Sequence, residues 1–310
     1  MSEFFSTFSF RALWTPELII VLLVVIYIYY WVSVKQRHKF IGAEDVPFRQ
    51  KVYFGLALLA LYLGWGSPLY VAGHISMTLH MVQMIFAYFV SVPLFILATP
   101  KWVFRTWIHR WEKKSPRTYK VVMFPIFAML FFNGLFSIYH IPRVFDALMQ
   151  SPFGHSAYLM VLFVAAFLMW WHMLAPLPTS FQLPELRRII YIFGNGILIT
   201  PACALIIFAG NPMYETYMNP AVWQQVMAYC LPPGSSLPPE ILAEAGGGFA
   251  FLDPQPDQQL GGVIMKVAQE LTYTSTIGYV FRQWMAKEKL QDGEVTISDV
   301  PTTDTINSRS

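Results

Sequence analysis

HISMTLHMVQMIFAYFVSVPLFILA, residues 74–98, is a mostly apolar run. At the roughly 1.5 Å per residue of an α-helix it is long enough to cross a hydrocarbon core of about 30 Å. Its opening turns are unlike ordinary lipid-facing sequence: two histidines, three methionines and a glutamine precede the more uniformly apolar part that starts at Ile85. On a helix, Met77, His80 and Met84 share one face, with Gln83 beside it and Met81 next to His80. Imidazole nitrogen with thioether sulfur is a donor set suited to copper, above all the soft cuprous ion. Methionine as core filler beside a hydrogen-bonded histidine is the plainer reading. This stretch alone favours neither.

Working outward, the whole chain follows the same pattern. Its 310 residues are 55% hydrophobic, 17% aromatic and 13% charged, too apolar for a soluble domain of that size. Apolar runs at about 16–34, 52–70, 74–98, 121–141, 156–174, 188–209 and 260–284 predict seven transmembrane helices in a single domain over residues 1–290. The second run is interrupted by GWGSP, residues 64–68, which predicts a broken helix there. All but three of the 21 Lys and Arg fall in segments 35–51, 101–120, 185–188 and the chain from Arg282 on, leaving Arg11, Arg143 and Lys266 on the other side. The positive-inside rule then places the N-terminus outside and the C-terminus in the cytoplasm. One span more or fewer would scramble that partition. The predicted class is an all-α polytopic membrane helix bundle.

Thr15, Pro16 and Glu17 read as an N-cap, a first-turn proline and a first-turn acid for the first span. A signal peptide is the rival reading, but the basic cluster follows the apolar run and no small-residue cleavage site comes after it. Segment 210–259 has no Lys or Arg, five acids (Glu215, Glu240, Glu244, Asp253, Asp257) and the stretches PPGSSLPPE and AGGG. It predicts an irregular acidic extracytoplasmic loop with a short helix around 221–229. The polar tail 291–310 reads as disordered and cytoplasmic. No CxxC, GxGxxG, P-loop, HExxH or nucleophile-elbow pattern occurs, so the expectation is a protein without catalysis, and nothing suggests nucleic acid. Cys203 and Cys230 could pair only if both faced an oxidising compartment.

On this topology four of the seven histidines gather at one membrane face on three helices. His74 sits at the outer mouth of the third span and His80 roughly 9 Å deeper, His140 at the outer end of the fourth, and His155 at the outer start of the fifth. Met77, Met81, Met84, Met149, Met265 and Cys203 lie at comparable depth. Three readings fit: interfacial histidines with methionine packing, a copper site, and axial ligation of haem between facing helices. His172, near the cytoplasmic end of the fifth span, reads as interfacial packing beside Trp170 and Trp171. Lys266 and Glu270, spaced i, i+4 in the last span, are costly in a membrane. A mutually neutralising pair is the simplest account of them, and a link of Glu270 to the metal site or to a proton is the other.

FSFRALWTPEL, SPLYVAGHISMTLHMVQM with VPLFILATPKW, NGLFSIYHIPRVFD, HSAYLMVLFVAAFLMWWHMLAPLP and DQQLGGVIMKVAQELTYTSTIGYVFRQW follow one another over nearly the whole chain. Together they resemble the Bacillus-type cytochrome c oxidase assembly factor family, CtaG. The resemblance implies a seven-span plasma-membrane protein of Gram-positive bacteria, needed to build an active haem-copper oxidase and proposed to help supply its copper. Its implied partners are oxidase subunits or other oxidase assembly proteins within the lipid bilayer. In related proteins the third span often reads HMxQH. The matching positions here are His80, Met81, Gln83 and Met84, so a methionine stands at the second histidine, which weakens a cupric all-imidazole site and leaves a cuprous one intact. His74, His140 and His155 also match polar positions of the family pattern. The expectation is an assembly factor binding Cu(I) through His80, Met77 and Met84, completed by His74, His140 and His155, with Met81, Gln83, Cys203, Lys266 and Glu270 as further candidates. A haem-binding membrane redox protein and a copper transporter are the alternatives.

Overall fold

The computed structural model describes residues 2–40, 42–231 and 251–294, and every regular element among them is helical. Two short helices, α1 (Ser2–Thr7) and α2 (Phe10–Trp14), precede α3 (Pro16–Tyr30), which continues through a π-helical turn, Trp31–Lys35. Then come α4 (Phe48–Trp65), α5 (Pro68–Ala72), α6 (Met77–Met84), α7 (Val92–Ala98), α8 (Lys101–Lys114) and α9 (Pro116–Val122). The remainder is α10 (Pro125–Tyr139), α11 (Pro142–Met149), α12 (Pro152–Leu174), α13 (Glu185–Phe208), α14 (Glu215–Met218), α15 (Pro220–Met227) and α16 (Pro254–Glu294).

Proline sets most of these boundaries. Pro16, Pro68, Pro116, Pro125, Pro142, Pro152 and Pro220 each open a helix, where the missing amide donor costs nothing. Pro93, near the start of α7, cannot donate to the carbonyl four residues back, and the backbone just before it widens into the π-helical stretch Ile85–Ser91 that joins α6 to α7. The predicted break in the second span is present between α4 and α5, where the Ser67 hydroxyl caps the Leu69 amide at 3.2 Å.

Among the described residues, Phe10–Lys35, Phe48–Ala72, Met77–Ala98, Pro152–Leu174 and Glu185–Phe208 are long and apolar enough to cross a membrane. Helices α9 and α10, taken together, make a sixth candidate bent by 61°. The chain is a multi-pass membrane helix bundle. The expected fourth span, 121–141, is not one straight helix: Phe124, held extended (φ −77°, ψ 124°) ahead of Pro125, separates α9 from α10. The expected seventh, 260–284, lies inside the 41-residue α16, whose Lys266, Gln269, Glu270 and hydroxyl side chains make it less apolar than the other spans.

Other differences have local causes. Segment 101–120, expected as a loop, is helical: Trp102 is buried and Phe104 packs edge-on to Trp171 with ring centroids 4.8 Å apart, so the basic stretch lies down as an amphipathic helix. Thr15 does precede α3, but with φ 38° and no side-chain cap bond, and Glu17 pairs with Arg11. The short helix expected at 221–229 is α15. The last helix starts at Pro254, so Asp257 belongs to it and not to a loop. Residues 232–250 and the tail beyond 294 lie outside the described residues.

The core forms around α6 and α7. Helices α4, α12 and α16 pack on this central pair and its π-helical joint, α10 lies against α12 and α13, and α13 runs along α16. Helix α3 is peripheral: Leu22 is its one buried residue, and it meets the bundle through Leu18, Leu22 and Tyr29 against Phe54, Leu58 and Ala98.

Candidate functional site

The position of α6 is fixed by a carboxylate from the far end of the chain. Asp257 accepts hydrogen bonds from Ser76 Oγ (2.7 Å), the Met77 amide (2.6 Å) and the Thr78 amide (3.3 Å), and Thr78 Oγ1 donates to the Asp257 carbonyl (2.9 Å). A buried carboxylate thus caps the α6 N-terminus, where the helix dipole and free amides favour negative charge. One turn further along α16, a Cβ at Gly261 would stand 3.0 Å from the Met77 carbonyl, so the two helices cross at backbone contact. Held in this way, α6 turns Met77, His80, Met81, Gln83 and Met84 all into the core.

There the four histidines come together as two pairs. The His80 ring stacks on Tyr139 (centroids 5.7 Å), meets Phe145 edge-on (5.2 Å) and lies 6.3 Å from the His140 ring. His140 Nδ1 donates to the Phe136 carbonyl at 2.7 Å, which fixes the hydrogen on Nδ1 and leaves Nε2 as an open lone pair. His140 Nε2, His80 Nε2 and both amide atoms of Gln83 are buried without a hydrogen-bond partner. Such orphaned buried groups are few in folded proteins and call for a specific explanation. The Gln83 amide presses on Gly73, where a Cβ would be 2.5 Å from its oxygen, and Tyr217 Oη holds the Gly73 carbonyl at 2.8 Å.

The second pair, His74 and His155, has ring centroids 5.7 Å apart, and three of its four ring nitrogens are engaged. His74 Nδ1 donates to the Tyr70 carbonyl at 2.8 Å. His155 Nε2 shares a 2.8 Å hydrogen bond with Tyr139 Oη, and its Nδ1 lies 3.4 Å from Tyr70 Oη. Tyr139 stacks on both His80 and His155 and so divides the pairs. A cavity of about 410 Å³ adjoins this second pair, lined by Arg11, Tyr70, His74, Met149, His155 and Cys230. Burial pushes the Cys230 thiol up to about 12, so it is protonated at neutral pH. Cys203 and Cys230 are both free and sit in separate apolar clusters.

Among the described residues, no three His, Cys, Asp or Glu side chains group as a metal-holding set. The open donors at His80 and His140 are two imidazole nitrogens, with the Met77 and Met84 thioethers one turn to either side of His80 in the same core cluster. That set fits a soft monovalent ion better than zinc or a cupric ion. Aromatic rings from Tyr139 and Phe145 pack against the His80 imidazole.

The remaining candidates lie elsewhere. Lys266 and Glu270 form an ion pair at 2.7 Å, and Lys266 turns toward α13, 3.0 Å from Thr200 Oγ1. His172, expected at the interface, is instead 4% exposed: α13 folds over it, Tyr191 lies 5.8 Å away ring to ring, and its Nε2 has no partner. Three residues that shape the site were not among the sequence candidates, although each lies in a stretch that carries the family resemblance. They are Asp257, Tyr139 and Asp146, whose carboxylate holds Thr216 and, through α14, places Tyr214 Oη 2.9 Å from the His140 carbonyl. The Asp253–Pro254 step is a helix-start signal that would have moved Asp257 out of the loop, but nothing local reveals that it caps a different helix.

A family model described as cytochrome c oxidase caa3 assembly factor (Caa3_CtaG) matches residues 25–287. No curated protein and no solved structure matches the chain.

Proposed function

The chain belongs to the cytochrome c oxidase caa3 assembly factor family, and from that we propose that it holds a cuprous ion as cargo and passes it to an oxidase subunit in the bacterial plasma membrane, without catalysing a reaction. The observation that carries this reading is the pair of buried imidazole nitrogens, His80 Nε2 and His140 Nε2, on neighbouring rings with no partner of their own. Met77 and Met84 supply sulfur. All four donors are neutral, so a monovalent ion brings a single charge into the core, and burying one charge costs far less than burying two. His74, Met149 and Cys230 line the vestibule, and Tyr139 stands between vestibule and site. By the positive-inside rule the vestibule faces outward.

Titration of the purified protein with Cu(I), buffered by a competing chelator, tests the reading. One ion per chain is expected, lost in His80→Ala and His140→Ala and partly kept in His80→Met, which restores a soft donor. Stoichiometric copper in both alanine variants would overturn it. The transporter reading draws support from the buried His172 with Met169 and Met173 in the opposite half of the bundle. It predicts copper uptake by sealed vesicles, whereas the assembly reading predicts none.

A further inference from the structure

A groove of about 380 Å³ runs along the outside of the α13–α16 pair, lined among others by Phe193, Gly196, Ile197, Thr200, Lys266 and Glu270. Its depth is fixed by α13. Gly196 lies at the middle of this membrane-crossing helix, and Lys266 Nζ sits 3.4 Å from the Gly196 carbonyl and 3.0 Å from Thr200 Oγ1. The ion pair therefore stands halfway through a span. Glu270 has Lys266 on one side, yet its side chain is 56% exposed. Gln269, fully buried, accepts from Lys266 at 2.8 Å, while its Nε2 has no partner and lies 3.5 Å from the Cβ position of Gly196. Polar groups left open at this depth are costly unless another polar group meets them.

We infer that this groove is the docking site for a transmembrane helix of the oxidase under assembly, one that presents a hydrogen-bond donor to Glu270. The inference rests on the assembly-factor reading. Gly196 and Thr200, one turn apart, let a helix backbone approach closely, and Phe193 and Ile197 (61% and 70% exposed) form an apolar rim. Lipid is a poor occupant: headgroups do not reach the middle of a span, and acyl chains carry no donor. A second copy is also disfavoured. The donors that a second copy would bring to a two-fold contact centred on this groove, Lys266 and Thr200, are already engaged within its own α13–α16 pair.

The test is a photo-crosslinking residue placed at Ile197 of the full chain, in cells that make the oxidase, with Met160 on the exposed face of α12 as control position. The expected result is an adduct with a membrane subunit of the oxidase at 197 and none at 160. Its yield should fall roughly tenfold in Glu270→Ala, the loss expected for one membrane-embedded polar contact, and be largely kept in Glu270→Gln. Gly196→Leu adds bulk to the groove from the other helix, beside Gln269, at a position where a Cβ meets only ordinary contacts, and should cause the same loss while keeping the Glu270 carboxylate. Adducts with lipid or a second copy alone, equal yields at 197 and 160, or a yield unchanged in Glu270→Ala and Gly196→Leu would each overturn the inference. Oxidase content of cells lacking the chain separates the two levels. Oxidase lost in those cells, with no adduct at 197, removes the docking site and keeps the assembly role, whereas unchanged oxidase removes the assembly role itself.

Discussion

Near the basic end of the bundle the Arg188 guanidinium, 2% exposed, donates to the Met173 carbonyl (2.9 Å), the Leu174 carbonyl (3.1 Å) and Gln283 Oε1 (3.0 Å). At the histidine end His80, Gln83 and His140 are as deeply buried, yet His80 Nε2, His140 Nε2 and both Gln83 amide atoms meet nothing. Arg188 ties off the last carbonyls of α12, which would otherwise be orphaned, and so belongs to the stability of the fold. The histidine end leaves its donors and acceptors open in a place where openness costs free energy, and that cost is explained if something else completes them. His155 lies between these cases: it is in the same cluster, but two tyrosines occupy its nitrogens.

The contrast can be broken by mutation. Arg188→Ala strips the donors from two carbonyls and should cost about 4 kcal/mol of stability in detergent denaturation. Asp257→Asn turns an amide group toward the α6 amides and should cost about 2 kcal/mol. Its second effect should be weaker copper binding, because α6 loses its anchor. His80→Phe should change stability by only about 1 kcal/mol in either direction, since an apolar ring replaces a group that has no partner to lose, while copper binding is abolished. If His80→Phe were as destabilising as Arg188→Ala, the histidine end would be structural and the contrast would vanish. His172 sharpens the comparison further: it also has a buried, unpartnered Nε2, but its near neighbour is Tyr191 and not a second open imidazole. His172→Leu should leave the Cu(I) stoichiometry unchanged. A loss there equal to that in His80→Ala would mean that any buried imidazole serves.

Much of this was legible in the sequence. The shared face of Met77, His80 and Met84 follows from helical spacing, the gathering of His74, His140 and His155 from hydropathy and charge, and the break at residues 64–68 from Gly and Pro. The rest depends on contacts between distant segments. Nothing near Asp257 announces that it caps a helix about 180 positions earlier in the chain. Tyr139 is one aromatic among many until packing sets it between two histidines. The bend before Pro125 was readable from the proline alone, but a hydropathy window averages across it. His172 read as interfacial because sequence places it by depth, whereas α13, folding over it, decides its burial.

The measurement closest to the central claim is copper K-edge X-ray absorption on the protein loaded with one equivalent of Cu(I). The proposed site at His80, His140, Met77 and Met84 predicts a first shell containing both imidazole nitrogen and thioether sulfur, with the sulfur contribution reduced in Met84→Leu and the imidazole contribution reduced in His140→Ala. Copper ligated by nitrogen and oxygen alone, or a spectrum unchanged by both substitutions, would contradict it.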